Sequence, residues 1–302
     1  MSEPIRPEWL LLGAGGQVGR ELCRALQPLG QGVALTRAEC DLSVPGAAEE
    51  MIARYEPGMV VNAAAYTAVD RAEEEPALAR RINAEAVAEI AQACARHDMP
   101  LVHYSTDYVF DGSGEAPFAE HDATGPLGEY GRSKLAGEQA IADAGGRSLV
   151  LRTSWVYAAH GRNFVRTMLR LAAERDHLRI IDDQVGAPTW AATIADVTAL
   201  ALFEWRRQAW DAQLSGVYHL SASDSVSWCG FAQAIFEEAA NLGLLEATAL
   251  PSVEAIPSSA YPQPARRPLN SRLSTQRLQT AFGLATPNWR EALRVCLTSM
   301  RA

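Results

Sequence analysis

A tyrosine and a lysine stand four residues apart in the stretch GEYGRSKLAGE, as Tyr130 and Lys134. On a helix that spacing puts both side chains on one face, one above the other. A free phenol, with a pKa of about 10, is a poor proton donor or acceptor at neutral pH. An ammonium fixed beside it favours the phenolate and lowers that value. The pair therefore suits proton transfer to or from a carbonyl–alcohol couple. The plain alternative is an amphipathic surface helix that shows the spacing by chance. A second cluster argues against it: YSTDYVF (104–110) begins as an apolar strand and delivers Ser105, Thr106 and Asp107 to its C-terminal end. In an open parallel sheet, that edge is where ligands sit.

A third pattern supplies a ligand class. GAGGQVG (13–19) spaces Gly13, Gly16 and Gly19 three apart, after the run WLLL and ahead of a helical pattern. Glycines there permit a tight turn, close approach of backbone to a diphosphate, and close packing of helix on strand. The helix start adds free N–H groups and the positive end of a dipole. A glycine-rich turn alone can be a plain loop; with a strand before it and a helix after it, this one predicts a dinucleotide site. The choice of cofactor rests on the end of the second strand, where an acid suits a ribose 2′-hydroxyl and an arginine a 2′-phosphate. After GVAL (32–35) come Thr36 and Arg37, with Asp41 following. Arg37 favours NADPH over NADH, against the alternative of a solvated loop charge. Asp41 belongs on the adenine side.

Residues so spaced need a scaffold. WLLL, GVAL, MVVN (59–62), LVHYS (101–105) and LVLR (149–152) are compact aliphatic runs, as strands buried on both faces tend to be. Helical patterns separate them, one with Val18, Leu22, Leu26 and Leu29 in step, another with Val87, Ile90, Ala91 and Cys94 inward. Strand and helix in alternation predict an α/β fold with a doubly wound parallel sheet. Beyond about residue 153 the pattern loosens: a helix around 163–175, LRIID (178–182), a helix near 193–207 and the strand VYHL (217–220). The expected organisation is a dinucleotide-binding domain over 1–155, to which part of 190–220 returns. Residues 156–302 form mainly a smaller, interleaved α/β lobe for substrate. The proline-rich stretch 250–271 reads as extended or looped.

Composition narrows the partners. The 302 residues carry a formal charge of −9 with scattered basic residues, which argues against nucleic-acid binding. Five cysteines lie far apart with no metal-ligand or redox spacing, so a reducing compartment is expected. The apolar run near the start breaks at glycines too early to span a bilayer, and no signal-peptide features precede it. The reading is a cytoplasmic protein with no membrane partner. His103 and His219 fall in predicted strands and read as core histidines, without companions at metal spacing.

Together the glycine turn, NAAAYTAVD (62–70), HYSTDYVFDG (103–112), YGRSK (130–134), RTSWVYA (152–158), DDQVGAPT (182–189) and ARRPLNSRL (265–273) resemble the extended short-chain dehydrogenase/reductases. The later motifs are similar to the branch that reduces a 4-keto sugar nucleotide, dTDP-4-dehydro-L-rhamnose, to dTDP-L-rhamnose. The resemblance runs nearly end to end. It implies a Rossmann fold and a triad of Thr106, Tyr130 and Lys134. Tyr130 would protonate the C4 keto oxygen as hydride arrives, Lys134 would hold the nicotinamide ribose and lower the tyrosine's pKa, and Thr106 would hydrogen-bond the same oxygen. It further implies that Gly16, Gln17 and Val18 face the diphosphate, Asp41 and Leu42 the adenine, and Ala64, Ala65 and Tyr66 the cofactor's ribose and diphosphate region. Thr106, Asp107 and Trp155 would touch the nucleotide-sugar. Arg266 and Arg267 either neutralise its diphosphate or are surface charge.

Two departures matter. Ala14 and Gly15 stand where members often carry lysine or threonine, which leaves fewer contacts to phosphate. Some members form homodimers with Mg2+ held by interface acids; Glu21 fits one such position, but GAPTWAATIAD holds no glutamate for a second. The expectation is no metal, since reduction by NAD(P)H needs none. The related dehydratases follow Thr-Asp with a glutamate; Tyr108 stands there, which favours reduction over elimination. Two alternatives stay open: a sugar-nucleotide epimerase, and a non-catalytic regulatory subunit like that of methionine adenosyltransferase. The intact triad favours catalysis.

Overall fold

The computed structural model describes residues 6–301; residues 1–5, which open the stretch read as lacking a targeting signal, and residue 302 lie outside the described residues. In the first half, β1 (Trp9–Leu12), β2 (Gly32–Leu35), β3 (Val60–Asn62), β4 (Leu101–Thr106) and β5 (Ser148–Thr153) alternate with helices. These are α1 (Gln17–Ala25), α2 (Ala47–Tyr55), the short α3 (Val69–Glu74) and α4 (Pro76–Arg80), α5 (Ala86–Arg96) and α6 (Glu129–Ala144). A π-helical turn over Arg81–Glu85 joins α4 to α5. The second half runs β6 (Val156–Tyr157), α7 (Phe164–Ala172), β7 (His177–Ile181), β8 (Val185–Gly186), β9 (Thr189–Trp190), α8 (Ala191–Arg207) and β10 (Gly216–His219). It continues with β11 (Val226–Ser227), α9 (Trp228–Asn241), β12 (Ser252–Ile256), β13 (Asn270–Ser271), α10 (Gln276–Phe282) and α11 (Trp289–Ser299).

The main sheet has the order β2-β1-β3-β4-β5-β10, and every neighbouring pair is parallel. It is a doubly wound, Rossmann-like sheet. Every residue of β1, β4 and β5 is buried, as expected when helices cover both faces. The two-residue period of a strand divides them: Leu11, Val61 and Val102 pack with Leu22 of α1 and Ile194, Leu202 and Trp205 of α8. Leu10, Leu12 and Val60 pack on the other face with Ile52 of α2, Val87, Ile90 and Cys94 of α5, and Ile141 of α6. A separate core of Tyr157, Val165, Phe231, Ile235, Phe236, Trp289 and Leu293 holds the smaller lobe together.

The chain order reverses at β1: β2 lies on one side of it and β3 on the other. Such a switch point opens a crevice at the C-terminal ends of the strands. One local reading needs correction. Leu22, Leu26 and Leu29 do not share one helix, because Pro28 ends the α-helical pattern: α1 stops at Ala25, and a 3-10 turn over Gln27–Leu29 carries Leu29 inward. The proline-rich stretch is extended or looped as read, its extended parts being β12, paired in parallel with β7, and β13, paired with β8.

Candidate active site

The glycine turn sits at the switch point. Gly13 has φ +85°, and a Cβ there would lie 2.5 Å from the Ala64 amide nitrogen, so the turns after β1 and β3 touch. A Cβ on Gly19 would lie 2.1 Å from the Gly13 carbonyl oxygen, which is why α1 can pack so closely on the turn. Gly15, by contrast, has nothing within 4 Å of its Cβ position. Gly16 precedes α1 without a side-chain cap, so no side chain of the turn competes for the amides of the helix's first turn. Gln17 reaches across, its Oε1 accepting from Asn163 Nδ2 at 2.8 Å, and Val18 packs against the core.

At the end of β2, Arg37 is exposed and pairs with Asp41 at 3.2 Å, while Asp41 also accepts from the Ser43 amide. These hydrogen bonds hold the Asp41 carboxyl below its usual range, the Ser43 amide contributing most. Leu42 is buried in the core beneath them. At the end of β3, the Ala64 amide donates to Asn62 Oδ1 at 3.1 Å, and Ala65 follows half-buried. The Tyr66 amide donates to Asn83 Oδ1, and its hydroxyl donates to Glu75 at 2.6 Å.

Thr106 ends β4 and caps the 3-10 turn that follows, its Oγ1 accepting from the Tyr108 amide and donating to Asp107 Oδ1 at 3.0 Å. Asp107 is buried with Oδ2 unpartnered, and burial pushes its carboxyl up to about 6 against the pull of hydrogen bonds from Ser271 and Thr106. Tyr130, on the first turn of α6, meets the Tyr108 ring edge-on at 5.5 Å. Thr106 and Tyr130 thus both border Tyr108, the first through the Tyr108 amide and the second through its ring. Their environment corrects one expectation. The Tyr130 phenol is raised to about 12 by burial, with the Thr106 hydroxyl as the opposing influence. Lys134 does not offset this, because its head is turned to the sheet: Nζ lies 3.0 Å from His103 Nε2 and donates to the Tyr104 carbonyl at 2.5 Å. Lys134 is 1% exposed, and burial lowers it to about 8.

Below the lysine, Glu138 of α6 and Arg152 of β5 form a buried bidentate pair, and Ser105 donates to the same carboxylate. On the lobe side Trp155 adopts φ +47° and stacks on Trp228 with ring centroids 3.6 Å apart. Gly186 lets the indole lie flat, since a Cβ there would come within 2.7 Å of it. Arg267 pairs with Asp70 of α3 at 2.9 Å, whereas Arg266 is exposed. Glu21 is engaged by His160 at 2.9 Å, and among the described residues no group of three His, Cys, Asp or Glu gathers to hold a metal. Sequence reasoning missed Asn62, Trp228 and the part His103 plays; only their place near a strand end or helix start could have drawn attention to them.

A sequence profile described as RmlD substrate binding domain matches residues 8–302. A dTDP-4-dehydrorhamnose reductase of Burkholderia thailandensis is 50% identical over 292 residues, covering 96% of this chain and 98% of that one. The chain belongs to the dTDP-4-dehydrorhamnose reductase family. Solved members of that family superpose closely. The reductase of Clostridium acetobutylicum gives a TM-score of 0.88 at 32% identity, covering 97% of this chain and 99% of that one. The Bacillus anthracis reductase, solved in complex with NADP, gives 0.86 at 30% identity, with coverage of 98% and 100%.

Proposed function

We propose that this protein is a cytoplasmic enzyme that reduces the C4 keto group of dTDP-4-dehydro-L-rhamnose to dTDP-L-rhamnose with NADPH, Tyr130 acting as proton donor. The observation that carries this reading is the placing of Thr106 at the end of β4 and Tyr130 on the first turn of α6, both against Tyr108, in a chain that matches reductases of that name end to end. Among the described residues no helix is long and apolar enough to cross a membrane.

The residues present suit a dinucleotide. The surface at Gly15 and Gly16 is open, and Gly13 and Gly19 have backbone where a side chain would stand. A diphosphate suits the bare start of α1, faced by Gly16, Gln17 and Val18, where Gln17 and Val18 offer backbone N–H groups while the Gly16 amide donates to the Gly13 carbonyl. Asp41 and Leu42 flank the adenine, Ala64, Ala65 and Tyr66 the adjoining ribose and diphosphate, and the exposed Arg37 meets a 2′-phosphate. Residues 1–155, with part of 190–220, form the cofactor half, and 156–302 mainly the substrate half.

NADPH supplies the hydride. The chain's residues do the rest. Thr106 and Tyr130 hydrogen-bond the keto oxygen, and Tyr130 gives it a proton as negative charge develops there. Lys134 holds the nicotinamide ribose, and Asp107 meets the sugar nucleotide with its unpartnered oxygen. Trp155, fixed by Trp228, provides a flat apolar wall for the sugar. With enzymatically prepared keto-sugar nucleotide, NADPH should be consumed mole for mole and faster than NADH. Turnover without net NADPH loss would instead identify an epimerase, and tight binding without turnover a regulatory subunit.

A further inference from the structure

The loop between β6 and α7 touches α1 at two successive turns. Asn163 Nδ2 lies 2.8 Å from Gln17 Oε1, and His160 Nε2 lies 2.9 Å from Glu21 Oε1. Between them Gly161, at φ +73°, runs so close that a Cβ there would stand 3.4 Å from Gln17 Cγ. The function proposed above gives Asn163 no task, yet the hydrogen bonds of this side chain decide which way round Gln17 lies.

Asn163 is the N-cap of α7, its Oδ1 accepting from the Arg166 amide at 3.1 Å. The other end of the side chain meets the carbonyl oxygens of Ala158 at 2.9 Å and His160 at 3.1 Å. A backbone N–H only donates and a carbonyl only accepts, so the oxygen and nitrogen of this amide are fixed from both ends. Its NH2 group must give, and the Gln17 atom that faces it must be the oxygen. Turned round, Gln17 would set its own NH2 against that of Asn163, two donors face to face. With its oxygen held, Gln17 presents Nε2 the other way, where no acceptor among the described residues meets it. Gln17 opens α1, and a helix tilts its side chains towards its own N-terminus. The free hydrogens of Nε2 therefore join the bare backbone amides of Gln17 and Val18 at the mouth of the helix.

We propose that Asn163 is a positioning residue for the cofactor: from the cap of α7 it holds Gln17 with its NH2 group turned to the dinucleotide's diphosphate. This role rests on the dinucleotide reading of the α1 start. A diphosphate has only oxygens to offer, so it gains a charge-assisted hydrogen bond from the NH2 end of Gln17 and none from the other. A glutamine free to turn offers either end; one held by Asn163 offers only hydrogen. Change at Asn163 is thereby felt by a ligand that it does not touch.

The test is calorimetric titration of the full chain with NADPH and with 2′-AMP, which keeps the adenosine and 2′-phosphate but lacks the diphosphate. Gln17→Glu retains an acceptor for Asn163 and replaces the outward donor with a carboxylate oxygen. It should bind NADPH about tenfold or more weakly, and 2′-AMP within about twofold of the parent. Asn163→Ser retains a cap for α7 but is too short to reach Gln17. NADPH affinity should fall by about three- to tenfold, and by less than about twofold where Gln17→Ala is already in place. NADPH bound by Gln17→Glu as tightly as by the parent overturns the proposal, as does an equal loss of 2′-AMP affinity. So does an Asn163→Ser loss that persists beside Gln17→Ala, which would make Asn163 a structural cap alone. A parent chain that binds no NADPH removes the dinucleotide reading itself, and this role with it. Should Asn163→Ser not fold, the Gln17 side-chain NH2 signals in NMR of the unaltered protein decide, identified by their loss in Gln17→Ala. They should move with NADPH and stay with 2′-AMP; signals that stay with both overturn the proposal.

Discussion

Burial works against both members of the Tyr130–Lys134 pair. Loss of water raises the phenol to about 12 and lowers the lysine to about 8. The lysine's shift has a consequence for stability. Between about pH 8 and the ordinary lysine value of 10.5, the unfolded chain binds a proton that the folded chain does not. Stability therefore rises with pH across that window, and the cost of the buried lysine is fully present below it. Lys134→Met removes the cost. In urea titrations at pH 7 this variant should be more stable by at least about 1 kcal/mol, even after losing the bond to Tyr104. The gain should shrink towards pH 10.5, and NADPH affinity and turnover should both fall. An unaltered or lowered midpoint at pH 7 would mean that the site accommodates the ammonium without penalty.

At the level of elements, the turn between β1 and α1 shows glycine acting in two ways. At Gly19 a methyl group would meet the Gly13 carbonyl at 2.1 Å, and backbone cannot step aside as a side chain can. Gly19→Ala should cost about 2–3 kcal/mol and weaken dinucleotide binding with it. Gly15→Ala meets nothing within 4 Å and should leave stability within about 0.5 kcal/mol, as thermal or urea unfolding would show. The sequence distinguishes poorly between two such glycines. Their spacing announces the turn, but which one touches backbone depends on how closely the helix packs. The same limit runs through the site. β1 to β5 and the edge they form were legible because continuous aliphatic runs have few alternatives to a strand covered on both sides. Tyr130 and Lys134 were legible because helical spacing is local. Lys134's partner was not, because His103 and Asn62 lie on separate strands and only the parallel register aligns them. Nor was Trp228, whose stacking on Trp155 joins β5's exit to α9 across the lobe.

For the molecule as a whole, the sheet order decides where chemistry can occur. Reversal at β1 opens the crevice, and β10 and α8, contributed from beyond the lobe's first strands, close the far edge and one face of the sheet. The lobe's own ladders are only two or three strands wide, several with strands of two residues, too short to be read from alternation. What couples sheet to site helix is the buried pair of Arg152 and Glu138, each side chain 5% exposed. Arg152→Met strands a carboxylate in the core and should cost about 3–5 kcal/mol, while adding Glu138→Leu should recover most of the loss. A double-mutant cycle in urea measures this; simple additivity would mean that the pair couples nothing.

Reduction as proposed depends on Tyr130 giving its proton to the ketone. The most direct measurement is the single-turnover rate of NADPH oxidation by Tyr130→Phe with the keto-sugar nucleotide, alongside its NADPH affinity. The expected rate is lower by about two to four orders of magnitude, with affinity within a few fold of the parent. A Phe variant that reduces the sugar at close to the parental rate would contradict it.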